Sequence, residues 1–348
     1  MKAKLLKPFV VLVLFMLLMM LASGCANSTR TTDNDQEPEQ PAKTEPIVLK
    51  YNDINSPQSP QAMFANEFAR LVEEKTEGRV KIETYFGGSL VGYDIEPVRS
   101  GIADFNQLIP SNVADLEPTL SILDAPYLYK DTDYLLKVVD PRSTVVQSIN
   151  EKLADKGLVF VTAMPMGFRH ITSNKEIRTI DDLKGLKIRV VPSQIYMDTI
   201  SSFGAVPTPM PFSEVSTALV TGVIDGQENP FSVIVPNGLH EIQKYVSLTG
   251  HLPTLAGIFM NKGKFDQLSP EDQDLLFDAA VEARNKITKY IQDKNEEWMS
   301  EAVKEGMQII DESNGLQIDG FKESARQVHD KYKETWGDLY NQIMELGK

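Results

Sequence analysis

Two arginines and one polar run are the residues of this chain best suited to chemistry. Arg189 interrupts an apolar stretch, Leu186, Ile188, Val190 and Val191, of the kind that forms a strand buried on both faces. A charge in such a stretch needs an anionic partner, because an unpaired buried ion is expensive. The guanidinium is planar and always charged, and it grips a carboxylate through two parallel hydrogen bonds, which an ammonium cannot do. Arg169 lies twenty positions earlier in Gly-Phe-Arg-His, and Asp225-Gly226-Gln227-Glu228-Asn229-Pro230 follows as a turn-like polar cluster. This pattern invites a pocket for a small carboxylate. Blander readings exist for each residue. Arg189 could pair with Asp181, Asp182 or Glu214, Asn229 could make an Asx turn before Pro230, and Phe212 could be core.

Other chemistries find little support. Cys25 is the only cysteine, which excludes an intrachain disulfide, a thiolate metal site and a cysteine dyad. His170, His240, His251 and His329 show no metal-ligand spacing and read as ordinary surface or core histidines, with His170 beside Arg169 able to line a cleft. The chain has no Gly-x-Ser-x-Gly elbow, His-Glu-x-x-His, Ser-x-x-Lys or Gly-x-Gly-x-x-Gly. No catalytic residue, metal or cofactor is therefore assigned. A secreted enzyme acting on carboxylates stays as a rival reading, because a constellation can assemble in three dimensions alone.

The elements that must position these residues follow an α/β rhythm. Ile47 to Tyr51 reads as a strand, Ser59-Pro60 as a helix start, and Phe64, Phe68 and Leu71 recur at helical spacing. Val80, Ile82, Thr84 and Phe86 alternate with polar residues as a second strand. Strand, helix, strand is a βαβ unit and implies a parallel sheet. The pattern resumes at Leu158 to Ala163 and Gly185 to Val191, and Leu219 to Ile224 leads into the Asp-Gly turn, with Glu214, Asp225 and Gly226 shaping it. Two such units suggest two lobes, whose ligand sits at the carboxyl ends of strands. Ser269-Pro270 caps a run in which Leu276, Ala280, Ala283, Ile287 and Tyr290 repeat, so one helix longer than about 25 residues is expected.

The amino terminus is a targeting segment. Lys2, Lys4 and Lys7 precede thirteen apolar residues, Phe9 to Leu21, and then Ala22-Ser23-Gly24-Cys25. This is the order of a lipoprotein signal peptide over 1–24 with lipid on Cys25, and the apolar run is short for a membrane span of roughly twenty residues. Ala26 to Pro46 carries no Val, Ile, Leu, Met or Phe, so residues 25–46 read as a disordered tether reaching roughly 70 Å at full extension. The net charge is −14; losing three lysines and no acids makes it −17. Nucleic acid and anionic lipid are thereby poor partners, and positive potential must be concentrated locally at Arg169 and Arg189.

Several motifs carry a family resemblance. Tyr-Asn-Asp-Ile-Asn-Ser-Pro-Gln-Ser at 51–59, the stretch from Glu73 to Leu90, Arg99 to Phe105, and Asp124 to Tyr129 are followed by Lys187 to Ser193 and Gly204 to Pro230. That succession resembles the solute-binding subunit of a TRAP (tripartite ATP-independent periplasmic) transporter, dicarboxylate-binding type, over about 47–310. The resemblance implies a two-lobed, type II periplasmic-binding-protein-like α/β fold with a ligand cleft and a long helix on the hinge side. It implies lobe I at 47–166 plus about 255–294, and lobe II at 167–254 plus about 295–348. It makes Arg189 the carboxylate clamp and Arg169 a second contact. Asn229 becomes an amide ligand, Phe212 an aromatic against the carbon skeleton, and Asn52 a polar contact from the other lobe. In the stretch 105–111, Leu108, Ile109 and Pro110 stand where some relatives carry an acid, which argues against sialic-acid-type recognition. The implied function is transport. The receptor captures an organic acid outside the cytoplasm and delivers it to an ion-gradient-driven permease; signalling to a membrane kinase is the alternative. The implied location is the periplasm or outer face of the cytoplasmic membrane.

Overall fold

The computed structural model describes residues 45–347; Cys25, the apolar segment before it and most of the tether lie outside these residues. Its strands are β1 (Ile47–Asn52), β2 (Val80–Tyr85), β3 (Phe105–Leu108), β4 (Leu158–Phe168), β5 (His170–Ser173), β6 (Lys187–Val190), β7 (Val206–Pro209), β8 (Gly226–Asn229), β9 (Tyr245–Ser247), β10 (Pro253–Asn261) and β11 (Gln308–Ile310). One sheet has the order β2-β1-β3-β10-β4, and the other β11-β9-β5-β8-β6-β7. The architecture is the mixed α/β, two-sheet arrangement expected of a periplasmic-binding-protein-like chain.

The opening βαβ unit forms for the reasons its sequence suggests. Ser59 accepts a hydrogen bond from the Ala62 amide and caps the helix Pro60–Lys75, with Pro60 in the first turn, where a missing N–H is harmless. Phe64, Phe68 and Leu71 are buried along one stripe. β2 then returns parallel to β1, from Ile47 opposite Val80 to Asn52 opposite Tyr85. The long helix, Pro270–Lys304, runs 35 residues from its Ser269 cap. It packs on Pro60–Lys75 and β4 at the first sheet and on Phe231–Ile234 at the second.

Two crossovers join the sheets side by side. β4 passes into β5 through Arg169 alone, and β9 returns to β10 through 248–252. Backbone hydrogen bonds, Arg169 N–H to Leu252 O at 2.8 Å and His251 N–H to Arg169 O at 3.2 Å, strap them together. The last helix, Asp338–Leu346, packs on Thr132–Val138 and Thr144–Ala154, which flank the first sheet.

The run at Asp225–Asn229 corrects the turn reading. Gly226–Asn229 is a fully buried strand between β5 and β6. Its polar side chains satisfy one another and the neighbouring strand, so burial costs little. Gly226 is required by crowding, since a Cβ there would fall 2.3 Å from the Thr172 carbonyl oxygen.

Candidate functional site

β6 and β8 run parallel, with Arg189 level with Gln227. Their carboxyl ends therefore open on the same edge, and Arg189 and Asn229 both stand near it. Arg189 is 3% exposed. Its Nε and Nη2 donate to the Met210 carbonyl oxygen at 3.1 and 2.8 Å, and the guanidinium lies 5.6 Å from the centre of the Phe212 ring. It makes no ion pair among the described residues. Asp181 instead pairs with Lys184 at 2.9 Å, and Asp182 accepts from the Arg178 and Thr179 amides. Burial pulls the Arg189 pKa down to about 10; Glu228 opposes that fall and Arg169 adds to it. A desolvated cation with one carbonyl for company is a candidate site for an external anion.

Arg169 has a different environment. Its Nε and Nη2 grip the Glu228 carboxylate, Nη2 also reaches the Glu228 carbonyl oxygen at 2.5 Å, and Nη1 donates to Thr254 Oγ1 at 3.0 Å. Tyr196 covers the guanidinium at 5.2 Å. Burial works to raise the pKa of Glu228, but Arg169 and then His251 hold it below the usual carboxylate range. His251 Nε2 lies 3.4 Å from Glu228, yet burial outweighs that attraction and keeps the imidazole neutral. Arg169 thus carries an internal counterion, and Glu228, read from sequence as part of a turn, supplies it.

The other expected residues are distributed around this edge. Asn229 Nδ2 donates to Gln227 Oε1 at 2.6 Å, and Gln227 Nε2 donates to Thr172 Oγ1 at 2.8 Å, a relay that sets the orientation of the amide. No Asx turn forms there. Phe212 is 39% exposed and is not core. Asn52 ends β1, fully buried, with Nδ2 donating to Asn106 Oδ1 at 3.0 Å and Oδ1 accepting from the Val91 amide at 3.1 Å. It ties the loop after β2 to the carboxyl end of β1 and to β3.

Sequence reasoning missed the facing wall. Asn112 Nδ2 reaches the Pro192 carbonyl oxygen at 3.5 Å, three residues beyond Arg189, and Tyr196 Oη lies 3.4 Å from Asp124 Oδ1. Tyr93 accepts from the Ile109 amide at 2.8 Å, and its hydroxyl feels the charges of Asp124, Arg169 and Asp53. Burial raises the Asp124 carboxyl to about 7 despite hydrogen bonding from Ser111. Asp53 is raised by burial as well, with Asn55 opposing. The Asp124 to Tyr129 motif offered a signal for Asp124; nothing local marked Tyr93 or Asn112.

A sizeable concavity lies elsewhere. A groove of about 1100 Å³ opens against the crossovers between Phe168, His170, Gly250, Ile291 and His329, and contains neither Arg189 nor Asn229. Volume and chemistry disagree here: the groove offers space, and the strand edge offers a buried guanidinium without an acid. His170 belongs to the groove: it accepts from the Gly250 amide at 3.1 Å, and burial takes its pKa down to about 3. His240 pairs with Glu305 and His329 with the Pro126 carbonyl oxygen.

Comparison with known proteins shows the family. The family described as bacterial extracellular solute-binding protein, family 7, matches residues 51–335. The chain is 34% identical over 265 residues to the 2,3-diketo-L-gulonate-binding periplasmic protein YiaO of Escherichia coli (strain K12), covering 75% of this chain and 80% of that one. It is 28% identical over 327 residues to the C4-dicarboxylate-binding protein DctB of Bacillus subtilis (strain 168), covering 91% and 90%. Among solved structures, a TRAP periplasmic solute binding protein from Polaromonas sp. JS666 bound to D-erythronate superposes with a TM-score of 0.77 at 29% identity, over 86% of this chain and 98% of that one.

Proposed function

The chain belongs to the bacterial extracellular solute-binding proteins of family 7, and from that premise we propose that Arg189 holds the carboxylate of a small organic acid in a cleft between two lobes. The protein is a TRAP-type solute-binding protein acting outside the cytoplasm, and the enzyme reading has no support from its relatives, which are named as binding proteins. The observation that carries the proposal is the burial of Arg189 without an acid of its own. The 2,3-diketo-L-gulonate, C4-dicarboxylate and D-erythronate named for relatives all present a carboxylate, which supports it.

Around the clamp, Asn229 supplies an oriented amide and Phe212 an exposed ring for the carbon skeleton. Asn52 contributes from the opposite lobe through the loop it anchors. The buried Arg169–Glu228 pair stiffens the strand edge behind the clamp. Residues 47–166 with about 255–294 form one lobe, and 167–254 with about 295–337 the other. The helix Asp338–Leu346 rides on the first lobe, as its packing on Thr132–Val138 and Thr144–Ala154 supports. Cys25 carries lipid after loss of 1–24 and tethers the receptor to the outer face of the membrane, where the cargo passes to the permease. The basic, apolar, small-residue, cysteine order of residues 2–25 supports this anchoring.

A melting screen across organic acids tests the receptor reading. A ligand at a hundred times its Kd stabilises the folded state by about 2.7 kcal/mol, a shift of several degrees in Tm. The acid must then be recovered unchanged after long incubation. An acid consumed in proportion to protein and time, or a screen in which no carboxylate shifts Tm, would refute it.

A further inference from the structure

The carboxyl end of the long helix carries a side-chain cluster that the clamp does not use. One ring nitrogen of His240 and one carboxylate oxygen from each of Glu241 and Glu305 lie within 4.8 Å of one another. No other trio of histidine, aspartate or glutamate side chains gathers this closely among the described residues. His240 and Glu241 stand on the short helix Leu239–Ile242, which leads toward β9 of the second sheet. Glu305, 65 positions beyond His240, caps Pro270–Lys304. Spacing along the chain does not announce this cluster, because the fold alone brings its third member to the other two.

The imidazole has a lone pair to give. His240 is 5% exposed, its Nε2 lies 2.8 Å from Glu305 Oε2, and its Nδ1 is buried with no partner. An ionised carboxylate only accepts, so Nε2 carries the single proton of the neutral ring. Nδ1 then keeps a buried lone pair that no protein donor answers, and a buried polar atom without a partner is costly. Glu241 is exposed, and neither it nor Glu305 is ion-paired with a lysine or arginine among the described residues. Two carboxylates beside one imidazole thus gather negative charge without an internal counterion. The aligned peptide dipoles of the 35-residue helix add negative potential at the same end.

We propose that His240, Glu241 and Glu305 bind a divalent transition-metal ion of the zinc type, with water filling the remaining coordination. The donor set selects the ion: imidazole nitrogen suits zinc, copper, iron and nickel, whereas calcium and magnesium take oxygen ligands. Zinc holds such nitrogen and oxygen atoms at about 2.0–2.2 Å, so two of its ligand atoms stand at most roughly 4.4 Å apart. Rotation of the exposed Glu241 side chain closes the small difference from 4.8 Å. The bound ion ties the carboxyl end of the long helix to the segment entering β9. That tie adds to the packing of the same helix on Phe231–Ile234.

The test is calorimetry of the untagged full chain, stripped of metal with a chelator and titrated with zinc chloride. Zinc should bind, and Tm should rise by several degrees at saturation, because the ion binds the folded state. His240→Ala should remove this binding and the rise in Tm together. Glu241→Gln and Glu305→Gln should each weaken zinc by at least about tenfold, a loss that even outer-shell changes can cause. Glu241 is exposed and carries no ion pair, so its variant keeps the test open if His240→Ala fails to fold. Calcium and magnesium chloride should bind more weakly than zinc. No zinc binding, zinc binding undiminished in Glu241→Gln and His240→Ala, or calcium or magnesium binding as tight as zinc would each overturn the proposal.

Discussion

Arg189→Ala should remove most of the affinity for the organic acid while leaving the fold intact. The structure allows the magnitude to be worked from two directions. The fall of the Arg189 pKa from the ordinary arginine range to about 10 corresponds to about 3 kcal/mol of penalty for keeping the buried guanidinium charged. A carboxylate in front of it removes much of that penalty and adds two charge-assisted hydrogen bonds. Independently, truncating one partner of a desolvated charge pair in an interface costs roughly 2–5 kcal/mol. The two routes together predict a loss of about thirty-fold to a few thousand-fold in Kd, with about 3 kcal/mol corresponding to roughly a hundred-fold. Arg189→Lys keeps the charge but cannot hold the Met210 carbonyl and present a two-pronged face together, so it should lose much of the affinity too. Because burial of the unpaired cation offsets its two hydrogen bonds to the Met210 carbonyl oxygen, Arg189→Met should melt close to wild type without ligand. Isothermal calorimetry with the acid identified by mass spectrometry, alongside melting curves, measures both quantities. A Kd for Arg189→Ala within about twofold of wild type would refute the reasoning, and so would ligand-free destabilisation of Arg189→Met by several degrees.

The second arginine should behave in the opposite sense: Glu228→Gln leaves Arg169 buried without its counterion and should cost about 3–5 kcal/mol of stability, seen as a lower Tm at neutral pH. The folded pKa of Glu228 lies below its unfolded value, so its contribution is present above the unfolded pKa and is lost as pH falls through the folded one. The gap in Tm between wild type and Glu228→Gln should therefore narrow as pH falls below the unfolded carboxylate range, and a gap unchanged by acid would contradict this. Asp124 has the reverse sign, since its folded pKa is raised to about 7. Stability from the protonated carboxyl is complete below the unfolded value near 4 and is lost as pH rises through 7. Asp124→Asn should accordingly melt above wild type at pH 8 and near it at pH 4; a lower Tm at pH 8 would count against it. Finally, a palmitate analogue fed to cells should label wild type and not Cys25→Ala, and equal labelling would sink the lipid anchor.

Much of the frame was readable along the chain because it is set by local rules. Ser59-Pro60 and Ser269-Pro270 start helices by capping, whatever surrounds them, and alternation from Val80 marks a strand by its two-residue period. A guanidinium in the run from Leu186 to Val191 announces a need for an anion, because no context makes a dry charge cheap. What the chain could not declare is which anion, and for which arginine. Arg169 and Arg189 each sit in a strand-like segment, yet one finds Glu228 fifty-nine positions away and the other finds only a carbonyl oxygen. Only pairing across the second sheet makes that distinction. The same pairing turned Asp-Gly-Gln-Glu-Asn, by composition a turn, into a buried central strand, since its polar groups are answered by Thr172, Arg169 and one another. The facing loops were only partly legible: the motifs at 51–59, 105–111 and 124–129 contain Asp53, Gln107 and Asp124. Nothing along the chain shows that Asn112 meets the Pro192 carbonyl or that Tyr196 meets Asp124, because those contacts are a property of the assembled sheets, not of spacing along the chain.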